Sequence, residues 1–188
     1  MATRFGILKI SDNEFCNLMG RIAGLDKKFG IDLPLAQNPA KQSAGAIAGR
    51  SVWFAASAHL IGNAHIAANQ MNENAKRFAG YFVISEMNHH LLEGMLYPES
   101  NKKDIVFVLF NSGLYSEKIR KRFVITGEVL KKNSIKYLVY DCQEKTALAQ
   151  SAEVLVFSSY LSYYSAILQG IDPTAIPFVD FFKQRLKK

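Results

Sequence analysis

Glu73 and His89 stand sixteen positions apart, and together they offer two groups able to carry out acid/base chemistry. A carboxylate takes a proton from carbon, and an imidazole delivers one to oxygen. Glu73 falls at or just past the end of a helix predicted to begin near His59. Its carboxylate therefore faces the negative end of the helix dipole, which suits a group that must accept a proton and return it. On pattern alone, a surface glutamate paired with Lys76 is the plainer explanation. His89 follows Asn88 at the start of the next predicted helix, where a neutral imidazole could hand a proton to a substrate oxygen. A polar histidine at a helix start accounts for it equally well.

Three further positions are candidates for holding a substrate: Asn88 itself, Ser57 in Ala56-Ser-Ala-His-Leu-Ile-Gly62, and Ser112 in Asn111-Ser-Gly113. Each serine follows a predicted strand, where hydroxyls and backbone amides at a helix start can hold an anion. The pair His89-His90 invites a metal reading. Neighbours on a helix point about 100° apart, and no third ligand of suitable type lies close, so no metal is expected. Cys16 and Cys142 are far apart and fit neither a metal nor a redox spacing, as in a reduced cytoplasmic protein.

These residues must be positioned by alternating strands and helices. The pattern predicts strands at Ser51–Ala56, Phe78–Ile84, Asp104–Phe110 and Ile135–Tyr140. Leu60, Ala64, Ala67, Met71 and Ala75 recur at helical spacing after the first strand. Glu86–Met95 reads as a short helix after the second. Ser116 and Glu117 open a helix reaching about Lys132, and another runs from about Lys145 to Gln169. Gly170 ends it, and Asp172-Pro173 is expected to restart a helix to the C-terminus. Such an order gives an α/β fold, a doubly wound parallel sheet flanked by helices. Its ligands are expected beyond the carboxyl ends of the strands, at the loops after Ala56, Ile84 and Phe110.

Residues 1–50 read as mainly helical, with the stripe Phe15, Leu18, Met19, Ile22 and Leu25 packing on the sheet or on a partner, and Gly30–Pro39 as a loop. No repeat or linker divides the chain, so residues 1–188 are expected to form one domain.

The net charge of +7 is concentrated in residues 114–136, with seven Lys/Arg against two Glu, and in residues 180–188, with four against Asp180. No recognition helix, zinc spacing or aromatic RNA-binding motif accompanies it, so nucleic acid is not an expected partner. Met1–Gly6 has no apolar stretch behind its charge. The apolar run Val154–Leu168 is shorter than a bilayer span and holds four serines, so it is expected to be a buried helix rather than a membrane segment.

Several motifs in order carry a resemblance: Asn38-Pro-Ala-Lys-Gln42, Asn72-Glu-Asn-Ala-Lys76, Glu86-Met-Asn-His89 and Gly170-Ile-Asp-Pro-Thr174, followed by Lys183. This series, spanning about residues 30–188, resembles the C-terminal sugar-isomerase (SIS) domain of the bifunctional phosphoglucose/phosphomannose isomerase family. The resemblance implies that Glu73 moves a proton between C2 and C1 of a hexose 6-phosphate through a cis-enediol. It implies that His89, contributed across a dimer interface, opens the ring, and that Lys183 steadies developing negative charge. Without it, Lys183 is one more lysine of a basic tail, and Arg122 reads as structural. No cofactor is implied.

The chain departs from the family at His90, where Asn is usual, and at Ala64-His-Ile-Ala-Ala68, where Ala-Tyr-Arg-Trp-Lys is common. It also lacks the Ser/Thr-rich loops with which an N-terminal domain holds the phosphate. A homodimer, or a separate chain carrying an N-terminal SIS domain, is the implied partner. The two readings are an aldose–ketose isomerase, or its catalytic half, and a non-catalytic SIS module that binds a phosphosugar for regulation or assembly.

Overall fold

In the computed structural model, which describes residues 9–187, four parallel strands form one sheet in the order β2-β1-β3-β4. The strands are β1 (Ser51–Ala56), β2 (Ala79–Val83), β3 (Ile105–Asn111) and β4 (Lys136–Asp141). The reading of Met1–Gly6 and the charge of Lys188 lie outside the described residues. The chain steps outward from β1 to β2, then returns across β1 to β3 and on to β4. Right-handed crossovers put the helix of the first step on one face of the sheet and the helices of the later steps on the other.

On the first face lie α1 (Asp12–Phe29), α2 (Pro39–Ala46), α3 (Ile61–Glu73) and α7 (Ala147–Leu168), with α7 touching the other three. On the second lie α4 (Ile84–Gly94) and α6 (Glu117–Lys132), which pack on each other. A short α5 (Asn101–Asp104) leads into β3. The last helix, α8 (Pro177–Leu186), buries none of its residues.

The core follows from the strands. Val106 through Phe110 are buried on both faces of β3, as a central parallel strand requires. Phe110 meets Phe54 at 5.6 Å between ring centroids and Phe157 of α7 at 6.5 Å, so two strands and the long helix share one aromatic cluster. The N-terminal stripe packs only at one end. Leu25 and Phe29 are buried, whereas Phe15 and Met19 stay exposed. Phe29 lies edge-on to Phe157, and Asn38 ties this corner down by donating to the carbonyls of Phe29 and Gly30 while capping α2.

Three element boundaries differ from the sequence expectation. The fourth helix begins at Ile84 rather than Glu86, so His89 sits in its second turn and not at its start. The loop expected over Gly30–Pro39 ends one residue earlier and α2 follows over Pro39–Ala46, because the Asn38 carboxamide accepts from the amides of Ala40 and Lys41 and Pro39 occupies the first helical turn. The last helix starts at Pro177 and not at Asp172-Pro173. There the Asp172 carboxylate takes the amide and hydroxyl of Thr174 at 2.8 and 2.7 Å, a side-chain turn that competes with helix. Gly170, at φ +67°, closes α7 in the left-handed conformation that glycine adopts without strain.

Candidate active site

Glu73 is the last residue of α3, a helix that starts at the carboxyl edge of the sheet and runs back to its amino edge. The turn that follows is held by the residues around it. The Asn72 carboxamide donates to the carbonyls of Ala68 and Ala79, both at 2.9 Å, and accepts from the Ala79 amide at 3.0 Å. Asn74 donates to the Ser162 hydroxyl at 3.1 Å. Lys76, held at φ +49°, donates through Nζ to the Pro173 carbonyl at 2.8 Å. Below them Arg77 is buried, donating to the Ile47 carbonyl at 2.7 Å and to Gln169 Oε1, and burial pushes its guanidinium below its usual range. Every polar neighbour in Asn72–Arg77 is thus spent on the fold, while the Glu73 carboxylate takes no hydrogen bond or ion pair among the described residues.

That carboxylate lines a cleft of about 760 Å³ between the end of α3 and the segment leading into α8. Asn69, Asn72, Lys76 and Asp172 supply the other polar groups, and Ile171, Ala175, Ile176, Pro177, Phe178 and Val179 form the opposite wall. Hydrogen bonds from the Thr174 hydroxyl and amide, with Lys76 nearby, hold the Asp172 carboxyl below the usual carboxylate range. The cleft therefore contains one engaged, ionised carboxylate and one that is free to act. The role of Asp172 went unread in the sequence, although Asp-Pro-Thr is a side-chain turn signal.

The remaining candidates are distributed over three places. Lys183 lies on α8, exposed, six residues beyond the start of that helix and outside the cleft lining. His89 is exposed on α4, on the opposite face of the sheet from Glu73. Asn88 beside it is engaged within the chain: its amide donates to Thr126 Oγ1 at 2.7 Å and its carbonyl faces Arg122 Nη1 at 3.4 Å, tying α4 to α6.

Ser57 and Ser112 sit at the carboxyl edge, in the loops after β1 and β3 where the strand order reverses. The two loops meet through the Ser57 amide, which donates to the Tyr115 hydroxyl at 3.2 Å. The length of α3 separates this edge from Glu73 by roughly 18 Å. Ser112 is buried and committed: its hydroxyl donates to Gln150 Oε1 at 2.6 Å and accepts the Leu114 amide at 2.9 Å. Gln150 Oε1 also meets His59 Nε2 at 2.8 Å. Ser57 is buried, and its hydroxyl makes no hydrogen bond among the described residues.

Nearby, the fully buried Glu153 carboxylate receives the Tyr140 hydroxyl at 3.1 Å and the amides of Gln143 and Glu144 at 2.9 Å. Burial first, then the charges of Glu153 and Asp141, push the Cys142 thiol up to about 12, so it stays protonated at neutral pH and is unfit as a nucleophile. Among the described residues no group of three or more His, Cys, Asp or Glu is arranged to hold a metal, and no helix is long and apolar enough to cross a membrane.

The fold defines the class, an open all-parallel α/β domain of the sugar-isomerase type. It superposes on a glucose-6-phosphate isomerase like protein from Thermus thermophilus with a TM-score of 0.71, covering 86% of this chain and 54% of that one at 18% identity. Within that class the assignment is narrower. Residues 36–186 match the family described as bacterial phospho-glucose isomerase C-terminal SIS domain, and the chain belongs to it. It is 27% identical over 128 residues to a bifunctional phosphoglucose/phosphomannose isomerase from Aquifex aeolicus, covering 66% of this chain and 40% of the relative. A protein of the same name from Thermoplasma volcanium is 30% identical over 118 residues, covering 62% of this chain and 36% of the relative. The chain thus aligns over well under half the length of either.

Proposed function

We propose that this chain is the proton-transfer half of a phosphosugar aldose–ketose isomerase, acting on glucose or mannose 6-phosphate and fructose 6-phosphate in the cytoplasm without a cofactor. The observation that carries the reading is the Glu73 carboxylate, the one polar side chain of Asn72–Lys76 that takes no hydrogen bond or ion pair among the described residues, set in a cleft of about 760 Å³. It removes the C2 proton of the open-chain aldose, giving a cis-enediolate in which the O2 proton passes to O1, and, being exposed, exchanges the acquired proton with solvent before delivering one to C1. Lys183, carried by α8 from the wall of the same cleft, offsets negative charge on the sugar oxygens.

His89 serves a neighbouring copy's cleft rather than its own, because the sheet stands between it and Glu73. A second SIS-type domain, from another copy of this chain or from an N-terminal SIS-domain chain, then completes the site. Ser57, with its free hydroxyl beside the start of α3, is the residue of this chain best suited to an anion.

Mixing two inactive variants tests the shared site. Glu73→Gln and His89→Gln homodimers are each expected to be inactive. Mixed in equal amounts and allowed to exchange subunits, they should regain about a quarter of the wild-type sites, since half the dimers are mixed and each has one intact site. No recovery on mixing would contradict a site built from two copies.

A second reading rests on a specific observation. The Ser112 hydroxyl is consumed by Gln150 and by the Leu114 amide, which removes one of two local hydroxyls from phosphate binding. In that reading the chain is a non-catalytic module that binds a phosphosugar for regulation or assembly. Binding of fructose 6-phosphate with no turnover by a well-folded dimer would favour it.

A further inference from the structure

Side chains four residues apart on a helix stand one above the other, with their β-carbons about 5–6 Å apart. Asn69 and Glu73 have that spacing on α3, both are exposed, and both line the cleft of about 760 Å³. Asn69 shares the property that sets Glu73 apart: its carboxamide makes no hydrogen bond among the described residues. The other polar groups of the cleft are engaged. Asn72 spends its carboxamide on Ala68 and Ala79, Lys76 its ammonium on Pro173, and Asp172 its carboxylate on Thr174. Gln70, next to Asn69, turns instead to α7 and donates to Ser159 Oγ at 2.8 Å. The fold gains nothing from asparagine at position 69. It is a poor helix former, on a helix whose buried face is built from Ala64, Ala67, Ala68 and Met71.

A free carboxamide offers a donor and an acceptor side by side, the complement of two neighbouring sugar hydroxyls. Across the cleft, Ile176, Pro177 and Phe178 supply an apolar wall for the C–H face of a sugar. With Glu73 at C1 and C2 of the open chain, the group one helical turn away meets the hydroxyls of the next carbons, C3 and C4. Glucose, mannose and fructose 6-phosphates share their configuration at those two carbons and differ only at C1 and C2. A contact there accepts all three and rejects sugars inverted at C3 or C4.

We infer that Asn69 is a specificity residue of the Glu73 cleft, holding the C3 and C4 hydroxyls of the substrate through its carboxamide. The identity of the sugar rests on the isomerase reading above, and Asn69 adds to it a contact that the proton transfer itself does not require. The discrimination follows from hydrogen-bond accounting. An inverted C4 hydroxyl points away, so the carboxamide gives up water without gaining its bond.

Titration calorimetry on the full chain carrying Glu73→Gln, which binds without turnover, tests the contact. The ligands are fructose 6-phosphate and its C4 epimer, tagatose 6-phosphate. Fructose 6-phosphate should bind at least about tenfold more tightly. Adding Asn69→Ala should weaken fructose 6-phosphate by about tenfold, leave tagatose 6-phosphate nearly unchanged and so abolish the preference. The melting temperature should hold or rise, because Asn69 is exposed and alanine favours helix. A merely structural asparagine would shift both ligands together. Equal binding of the two sugars before Asn69 is changed, a preference that survives Asn69→Ala, or no binding of either sugar would overturn the inference. Turnover by the chain with Glu73 intact is read separately. Binding as described with no isomerisation upholds Asn69 and removes the isomerase reading. Isomerisation with a sugar preference indifferent to Asn69→Ala upholds that reading and removes the inference.

Discussion

Glu73→Gln is expected to lower the rate of isomerisation by about a thousandfold, with little change in KM and none in thermal stability. The magnitude follows from removing the base that the proposed mechanism relies on, while the uncharged amide keeps the shape of the side chain. The unchanged stability follows from the structure. Glu73 is exposed and makes no hydrogen bond among the described residues, so nothing in the fold depends on its charge. Steady-state kinetics alongside a melting curve check both parts. A fall in KM-normalised activity that tracks a falling melting temperature would mark Glu73 as a structural residue.

Glu153→Ala is the counterpart, a substitution at a carboxylate that the fold does depend on. Glu153 is fully buried on α7, and it gathers the Tyr140 hydroxyl with the amides of Gln143 and Glu144. Removing it leaves three donors without their acceptor and empties the space beneath the loop after β4. The expected cost is about 3 kcal/mol, which lowers the melting temperature by roughly 6–12 °C for a chain of this size. Thermal unfolding followed by circular dichroism measures it. A shift of under about 2 °C would mean that water replaces the carboxylate and that the loop does not need it.

These two glutamates show how far the sequence carries. The strands were legible because their apolar runs are bounded by turn residues: Ser51–Ala56 holds to the residue, and the other three strands fall within about two residues of their expected ends. Glu73 is singled out as a candidate base only by the resemblance, since a single carboxylate at a helix end has no pattern of its own. Glu153 was not legible at all. It lies inside the apolar run of α7, and its partners are backbone amides ten and nine residues away that only the folded loop delivers.

Asn88 and Ser112 were read as substrate-binding from their positions in motifs and loops. Their hydrogen bonds to Thr126 and Gln150 depend on packing between elements far apart in the chain, 38 residues in each case. The candidate base lies outside the region where ligands of such sheets are expected, beyond the carboxyl ends of the strands. That rule concerns loops following strands, whereas Glu73 closes a crossover helix and so lies at the amino edge. The start of α8 was misplaced because Asp172 uses its side chain for a local turn before Pro177 can begin a helix.

The central claim is that Glu73 moves a proton on a sugar phosphate, and the most direct measurement is isotope exchange. Fructose 6-phosphate is incubated with the wild-type chain in deuterium oxide, and the aldose and recovered ketose are read by proton NMR. An enediol formed by an enzyme-bound base should place deuterium at C2 of the aldose and at C1 of the ketose, and Glu73→Gln should place none. Sugar phosphate recovered without deuterium from a folded wild-type dimer would contradict the claim and leave the chain as a binding module.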